Sequence, residues 1–284
     1  MTEMLIVGGL TIDRFTDGSV APGGSVLHAG LAGHSEGARL TMVTVAGGEP
    51  AALDGLARLR DLGGLAHQPA ATTTAYRHEE RDGLRVLVLQ ARSSPIESSG
   101  LEHLNPPDVA LVAPIADEVS AQLVDALAAT LRPRWTVLLI QGWLRRLVEG
   151  EEVVPLGLDV LSADQRRVIA GADAIVVSTE DLVEAPGDPF TQAAELRQLA
   201  GSGPIVVLTL GTEGYLLDDA DQDRVVASVP RRIVSGVSAV GAGDTFGAGL
   251  AVNLARGATP LTAADLATDR VISVLESRRP AWRT

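Results

Sequence analysis

The chain has 284 residues, room for one large α/β domain or two small ones. It is 46% hydrophobic but only 3% aromatic, with a mean hydropathy of +0.20, so a sizeable core can be built from small aliphatic side chains. A formal net charge of −13 argues against nucleic acid or an anionic membrane as partner, and the lack of cysteine removes disulfides, thiol nucleophiles and Cys-ligated zinc.

All 23 basic residues are Arg. Without lysine there is no P-loop and no lysine Schiff base, so phosphoryl chemistry would have to rely on backbone amides, Arg and a metal. Met1–Gly9 lacks the basic start and long apolar stretch of a signal peptide. No apolar run approaches the roughly 18 residues of a membrane span. The expectation is a cytoplasmic protein.

In chain order, Leu5–Val7 predicts a short strand ending in Gly8-Gly9, followed by Thr11 and Asp13. A strand that ends in glycines and then an acid suits either a ligand-facing loop of an α/β sheet or a solvated turn. Pro22-Gly23-Gly24 precedes a helical run, Ser25–Ser35, that carries His28. A lone helical His is more often packed than a ligand. Arg39–Val45 predicts a strand and Pro50–Leu62 a helix. Thr72–Glu79 and Leu84–Gln90, joined through Asp82-Gly83, predict a hairpin, which could equally be an edge of the main sheet.

Strands are predicted at Val109–Ala113, Thr136–Ile140, Ala174–Val177 and Ile205–Leu210, with helices at Ala121–Leu131, Ser162–Gly171 and Thr191–Ala200 between them. Gln141-Gly142-Trp143-Leu144-Arg145 follows one strand, Ser178–Asp181 another, and Gly211–Gly214 a third. Taken alone, Arg145 could be a surface charge, Ser178 and Asp181 a helix cap, and Gly211 and Gly214 a tight turn. Leu216–Asp218 and Val225–Val229 predict a late strand pair around an acidic turn, and Ala263–Leu275 the last helix. The alternation of strand and helix predicts one doubly wound, mostly parallel sheet with helices on both faces.

The stretch Ser238–Leu250 combines a small-residue turn, Gly241-Ala242-Gly243, with a helical run from Asp244 to Arg256. Such a turn exposes backbone N–H groups at the positive end of a helix and can hold an anion. Asp244 inside it would be a poor phosphate ligand but a good base for a hydroxyl attacking a phosphate. A plain helix cap, or less readily a dinucleotide fingerprint, are the alternatives.

Gly241-Ala242-Gly243-Asp244-Thr245-Phe246-Gly247-Ala248-Gly249 resembles the C-terminal signature of the ribokinase-like (PfkB) carbohydrate kinases, over about residues 4–276 of the chain. The resemblance implies a three-layer αβα sandwich in a single domain, 1–284, with a small β lid from about 11–21 and 72–91. It implies an ATP-dependent kinase acting on a hydroxyl of a sugar or cyclic polyol. Asp244 would be the catalytic base, and the amides of Gly241, Ala242 and Gly243 the anion hole. Asp13, Gly23, Gly24, Gln141 and Arg145 would hold the acceptor. Ser178, Thr209, Gly211 and Gly214 would line the nucleotide site, with magnesium near Asp181. Ser94–Glu97 and Gln141–Arg145 resemble the myo-inositol 3-kinase branch, except that Leu139 stands where that branch has Asp. Ser238-Ala239-Val240 replaces the family's usual Asp and hydroxyls, so potassium is not expected to be required. A homodimer through the β lid is a further implication. The alternatives are a non-catalytic sugar- or nucleotide-binding protein of the same fold, or a kinase for fructose, ribose or a nucleoside.

Overall fold

The computed structural model describes residues 1–81, 84–182, 188–220 and 225–278. In chain order it begins with β1 (Glu3–Gly8), β2 (Thr11–Arg14), β3 (Val20–Gly23), α1 (Ser25–Ser35), β4 (Arg39–Ala46), α2 (Pro50–Leu62) and β5 (Gly64–Pro69). Next come β6 (Thr74–Arg81), β7 (Leu84–Ala91), β8 (Val109–Ala113), α3 (Ala121–Leu131), β9 (Trp135–Leu139), β10 (Arg145–Arg146) and β11 (Val154–Pro155). The chain continues through α4 (Ala163–Ala170), β12 (Ala174–Ser178), α5 (Pro189–Ala200), β13 (Ile205–Thr209), β14 (Tyr215–Asp218), β15 (Val225–Ser228), α6 (Ala242–Ala255) and α7 (Pro260–Glu276).

Nine of these strands form one sheet in the order β15-β14-β13-β12-β9-β8-β1-β4-β5, parallel from β13 to β5, with β14 and β15 antiparallel at one edge. Its parallel strands are apolar on both faces, as burial beneath two helical layers requires. In β1, Met4 and Ile6 join the core beneath α1, α2, α6 and α7, while Leu5 and Val7 join the core beneath α3, α4 and α5. The result is the three-layer sandwich that the strand–helix alternation predicts.

From β1 the chain winds outward through β4 to β5, then returns to β8 on the other side of β1. That reversal is a topological switch point, where the loops after neighbouring strands diverge and leave a crevice at their carboxyl ends. Asp13, Gln141, Ser178 and Thr209 all lie at or just beyond such ends.

The remaining large element is a separate sheet, β3-β2-β6-β7. The predicted hairpin is therefore no edge of the main sheet. β6 pairs antiparallel with β7, and β2 joins them parallel to β6 with Asp13 opposite Tyr76. This sheet draws its strands from Thr11–Arg14, Val20–Gly23, Thr74–Arg81 and Leu84–Ala91. The turn at Asp82-Gly83 and the acidic turn at 221–224 lie outside the described residues.

Edge strand β5 is absent from the sequence reading. Its residues are only partly buried and include His67 and Gln68, so it has no strong apolar signal. Among the described residues, no helix is long and apolar enough to cross a membrane.

Candidate active site

The crevice at the switch point, roofed by the lid and closed on one side by the start of α6, has a volume of about 550 Å³. Asp13 enters it from β2. Its side chain is buried, and Thr11 Oγ1 donates to Oδ1 at 3.1 Å. Gly23 lies against this carboxylate, where a Cβ would come within 2.2 Å of Oδ2. Gly24 has φ +95°, and a Cβ there would lie 2.3 Å from the Gly9 carbonyl oxygen. Both glycines are thus demanded by how closely the lid root meets β2. His78 of β6 stacks on Phe15 with ring centroids 4.8 Å apart, and its Nε2 is 3.5 Å from Asp13 Oδ1.

On the opposite wall, Gly241 opens α6 in the left-handed region at φ +74°, flush against the His28 ring, where a Cβ would be 2.3 Å from Cγ. The Ala242 amide donates to the Ala239 carbonyl at 3.0 Å, and Thr245 donates to the Gly241 carbonyl through both N–H and Oγ1. The Gly243 and Asp244 amides meet no acceptor among the described residues. Of the expected Gly241–Gly243 donor set, Ala242 is occupied in closing the turn, whereas the Gly241 and Gly243 amides meet no acceptor among the described residues. His28 is held below the usual imidazole range by burial, which outweighs the raising effect of Asp13; Arg278, which bonds the Ser238 carbonyl, adds to the depression.

Asp244, in the first turn of α6, is partly buried and pushed up to about 7. Burial is the main cause. Asp181, Glu118 and Asp13 add to it, and Arg145 opposes it. Glu118 does not figure in the sequence reading. It is buried in the loop after β8, accepting N–H bonds from Ile115 and Ala116 at 3.1 and 2.7 Å, and burial pushes its own carboxyl up. Tyr76 Oη donates to the Ile115 carbonyl at 3.1 Å, tying the lid to the same loop.

After β9 the chain turns through a short 3₁₀ segment, Ile140–Leu144. A Cβ on Gly142 would lie 2.4 Å from the Pro114 carbonyl carbon, while its N–H donates to the Pro114 oxygen at 3.1 Å. Trp143 Nε1 donates to the Val119 carbonyl at 2.7 Å. Gly142 and Trp143 thus fix the loop, and Gln141 and Arg145 both reach Asp181 Oδ1, at 3.0 and 3.1 Å. The residues expected to bind acceptor and the residue expected to hold magnesium form one hydrogen-bonded cluster. The Arg145 guanidinium therefore competes with any cation for this Asp181 oxygen.

The expected nucleotide-binding residues are placed by the chain's own needs. Ser178 Oγ accepts from the Glu180 N–H at 3.3 Å, and Thr209 donates to the Val177 carbonyl at 3.4 Å. Gly211 and Gly214 have φ +59° and +100°, and Leu210 N–H donates to the Gly214 carbonyl at 2.8 Å. A Cβ on Gly214 would lie 2.0 Å from the Ser228 carbonyl oxygen. The Thr-x-Gly-x-x-Gly pattern is the tight turn between β13 and β14. Leu139 packs on α6 at Gly247 and belongs to the core.

Residues 148–269 match the model of the pfkB family carbohydrate kinases. A Mesorhizobium japonicum protein named bifunctional protein HldE is 30% identical over 299 residues, covering 93% of this chain and 56% of its own length. The chain thus spans little more than half of that relative. Among solved structures, a pyrophosphate-dependent kinase of the ribokinase family, bound to a pyrophosphate analogue and myo-inositol, superposes with a TM-score of 0.80 at 18% identity, covering 98% of this chain and 96% of the other. A pyrophosphate-dependent myo-inositol-1 kinase converted into a myo-inositol-3 kinase gives 0.79 at 18% identity, covering 98% and 94%. Thermotoga maritima ribokinase gives 0.66 at 16% identity, covering 95% and 92%.

ATP, expected as donor from the sequence, is corrected by these matches. The structures at TM-scores of 0.79 and 0.80 are pyrophosphate-dependent kinases, and the loop that suggested a nucleotide is explained by the β13–β14 turn.

Proposed function

We propose that the chain, whose residues 148–269 match the model of the pfkB family carbohydrate kinases, transfers a phosphoryl group from inorganic pyrophosphate to a hydroxyl of a neutral, inositol-like polyol. The observation that carries this reading is Asp244: a carboxylate with its pKa raised to about 7, beside free amides at the start of α6, in one crevice with Asp13.

The acceptor lies between the lid and α6, with Asp13 accepting from one of its hydroxyls. Asp244 takes the proton from the attacking hydroxyl as the new O–P bond forms. The bond to the bridging oxygen of pyrophosphate breaks, and inorganic phosphate leaves with that electron pair. The Gly243 and Asp244 amides and the positive end of α6 face the charge on the transferred group. A base with a pKa near 7 is better matched to neutral pH than an ordinary carboxylate.

The charges around the site favour an uncharged acceptor. Asp13, Glu118 and Asp181 surround Asp244, and Arg145, the cation acting on it, is already paired with Asp181. A phosphate on the acceptor would meet the Asp13, Glu118 and Asp181 carboxylates beside Asp244. The pyrophosphate donor rests on likeness to the pyrophosphate-dependent kinases. The deciding assay mixes protein, pyrophosphate and myo-inositol and follows phosphate release together with the phosphorylated polyol. No polyol phosphate from any member of an inositol panel would sink the reading.

A further inference from the structure

His78 has no counterpart among the residues read from the sequence, and the mechanism above does not use it. It sits on β6, 8% exposed, with its ring plane set by the stack on Phe15. Its Nε2 is buried and has no hydrogen-bond partner. Buried side-chain nitrogens are nearly always partnered, so one left open needs a reason. The obvious partner, Asp13 Oδ1, stands at 3.5 Å, too far for an imidazole N–H bond to a carboxylate. Asp13 is instead bonded by Thr11 and backed by Gly23. The second unpartnered imidazole nitrogen of the crevice, His28 Nε2, has a packing reason, because that ring fills the space beside Gly241. His78 and Asp13 both line the crevice, with Nε2 and Oδ1 3.5 Å apart and not bonded to each other.

We propose that His78 and Asp13 together read one hydroxyl of the acceptor, so that His78 is a specificity-determining residue contributed by the lid. A hydroxyl can donate to the carboxylate while accepting from Nε2–H, and it satisfies both groups at once. A carbonyl or ether oxygen could accept from the imidazole but has no proton to donate to Asp13. The inference rests on the polyol-kinase reading and narrows it to acceptors with a free hydroxyl at this position, distinct from the one phosphorylated.

The test compares wild type, His78→Leu and His78→Gln on myo-inositol and its mono-deoxy analogues, with pyrophosphate as donor. Wild type should reject the analogue lacking the contacted hydroxyl by about tenfold or more in kcat/KM, because a site built to bond a hydroxyl is left with unpaired groups. His78→Leu should raise the myo-inositol KM by about tenfold, leave the pyrophosphate KM within about twofold, and lose discrimination against that one analogue. His78→Gln, which keeps an N–H donor, should recover part of it. Unchanged discrimination across all deoxy analogues in His78→Leu would overturn the proposal. If wild type phosphorylates no polyol, the functional reading fails by itself, and ¹⁵N NMR of the imidazoles still tests His78. A polyol that binds must shift its Nε2 signal, and titration of the panel without such a shift overturns the assignment. The NMR arm uses unmodified protein, so a variant that fails to fold does not remove the test.

Discussion

Arg145 and Asp181 form a buried ion pair, Nη2 to Oδ1 at 3.1 Å, with side chains only 12% and 6% exposed. They are 36 residues apart, Arg145 at the start of β10 and Asp181 in the turn after β12, and they meet because the preceding strands β9 and β12 are parallel neighbours. Gln141 donates to the same carboxylate oxygen, which makes the pair the floor beneath Asp244.

Removing one partner should cost more than removing both. Arg145→Leu leaves Asp181 buried and unpaired and should destabilise the fold by about 3 kcal/mol, whereas Arg145→Leu with Asp181→Leu should recover much of that loss. Denaturant unfolding of the three proteins checks this. Equal stabilities for the single and double variants would mean that the pair is not coupled.

Arg145 also lowers the Asp244 pKa, so its loss must raise that pKa further. In wild type, kcat/KM should climb with pH through about 7 and then level off, since Asp244 works as a base only when deprotonated. In any Arg145 variant that keeps measurable activity, the inflexion should move to higher pH. A profile already flat from pH 5 upward in wild type would exclude Asp244 as the titrating base.

Asp244→Asn keeps the shape and deletes the basicity. It should lower kcat by about 10²- to 10⁴-fold with little change in either KM. A variant retaining more than about a tenth of wild-type kcat would assign the proton to another group.

The same substitution should stabilise the protein in alkaline buffer. The folded-state pKa of Asp244 is raised from the ordinary carboxylate range to about 7, so the folded form binds a proton that the unfolded form has lost. The stabilising contribution of the protonated carboxyl is therefore full below about 4 and is lost as pH rises towards 7. At pH 8 the Asn variant should melt above wild type, and the difference should shrink towards pH 4. A constant difference across that range would contradict the raised pKa.

Gly241→Ala should be among the most damaging single-methyl changes. The backbone is left-handed there, and the added Cβ would lie 2.3 Å from His28 Cγ. The αL conformation alone costs about 1–2 kcal/mol for a non-glycine residue. His28→Ala in the same chain should return part of the lost melting temperature by removing the clash but not the backbone strain. No recovery would show that the conformation, rather than the His28 contact, sets the requirement for glycine.

Much of this molecule is local in origin. Apolar runs of strand length, alternating with amphipathic segments, state a parallel sheet between two helical layers, because only strands buried on both faces read that way. Gly241-Ala242-Gly243-Asp244 states a helix start with exposed amides and a carboxylate beside them, because both the left-handed turn and the free N–H groups are properties of adjacent residues. Those features, and the resemblance to the carbohydrate kinases that they carry, are legible in the amino-acid order.

Tertiary structure alone decided the partners. The sequence assigns Asp181 to a metal, but its oxygen is held by Gln141 and Arg145, an arrangement that depends on β9 and β12 lying side by side. It treats Gly211 and Gly214 as nucleotide contacts, but their conformations answer to the β13–β14 turn and to Ser228. Ala242 looks like an anion donor until the Ala239 carbonyl closes on it. His78 carries no local signature and is defined by the strand pairing that brings it to Asp13. Hydrogen-bond partnership and burial are long-range properties, set by strand order and by the lid's pairing, and they decide which of the chemically competent residues face the substrate.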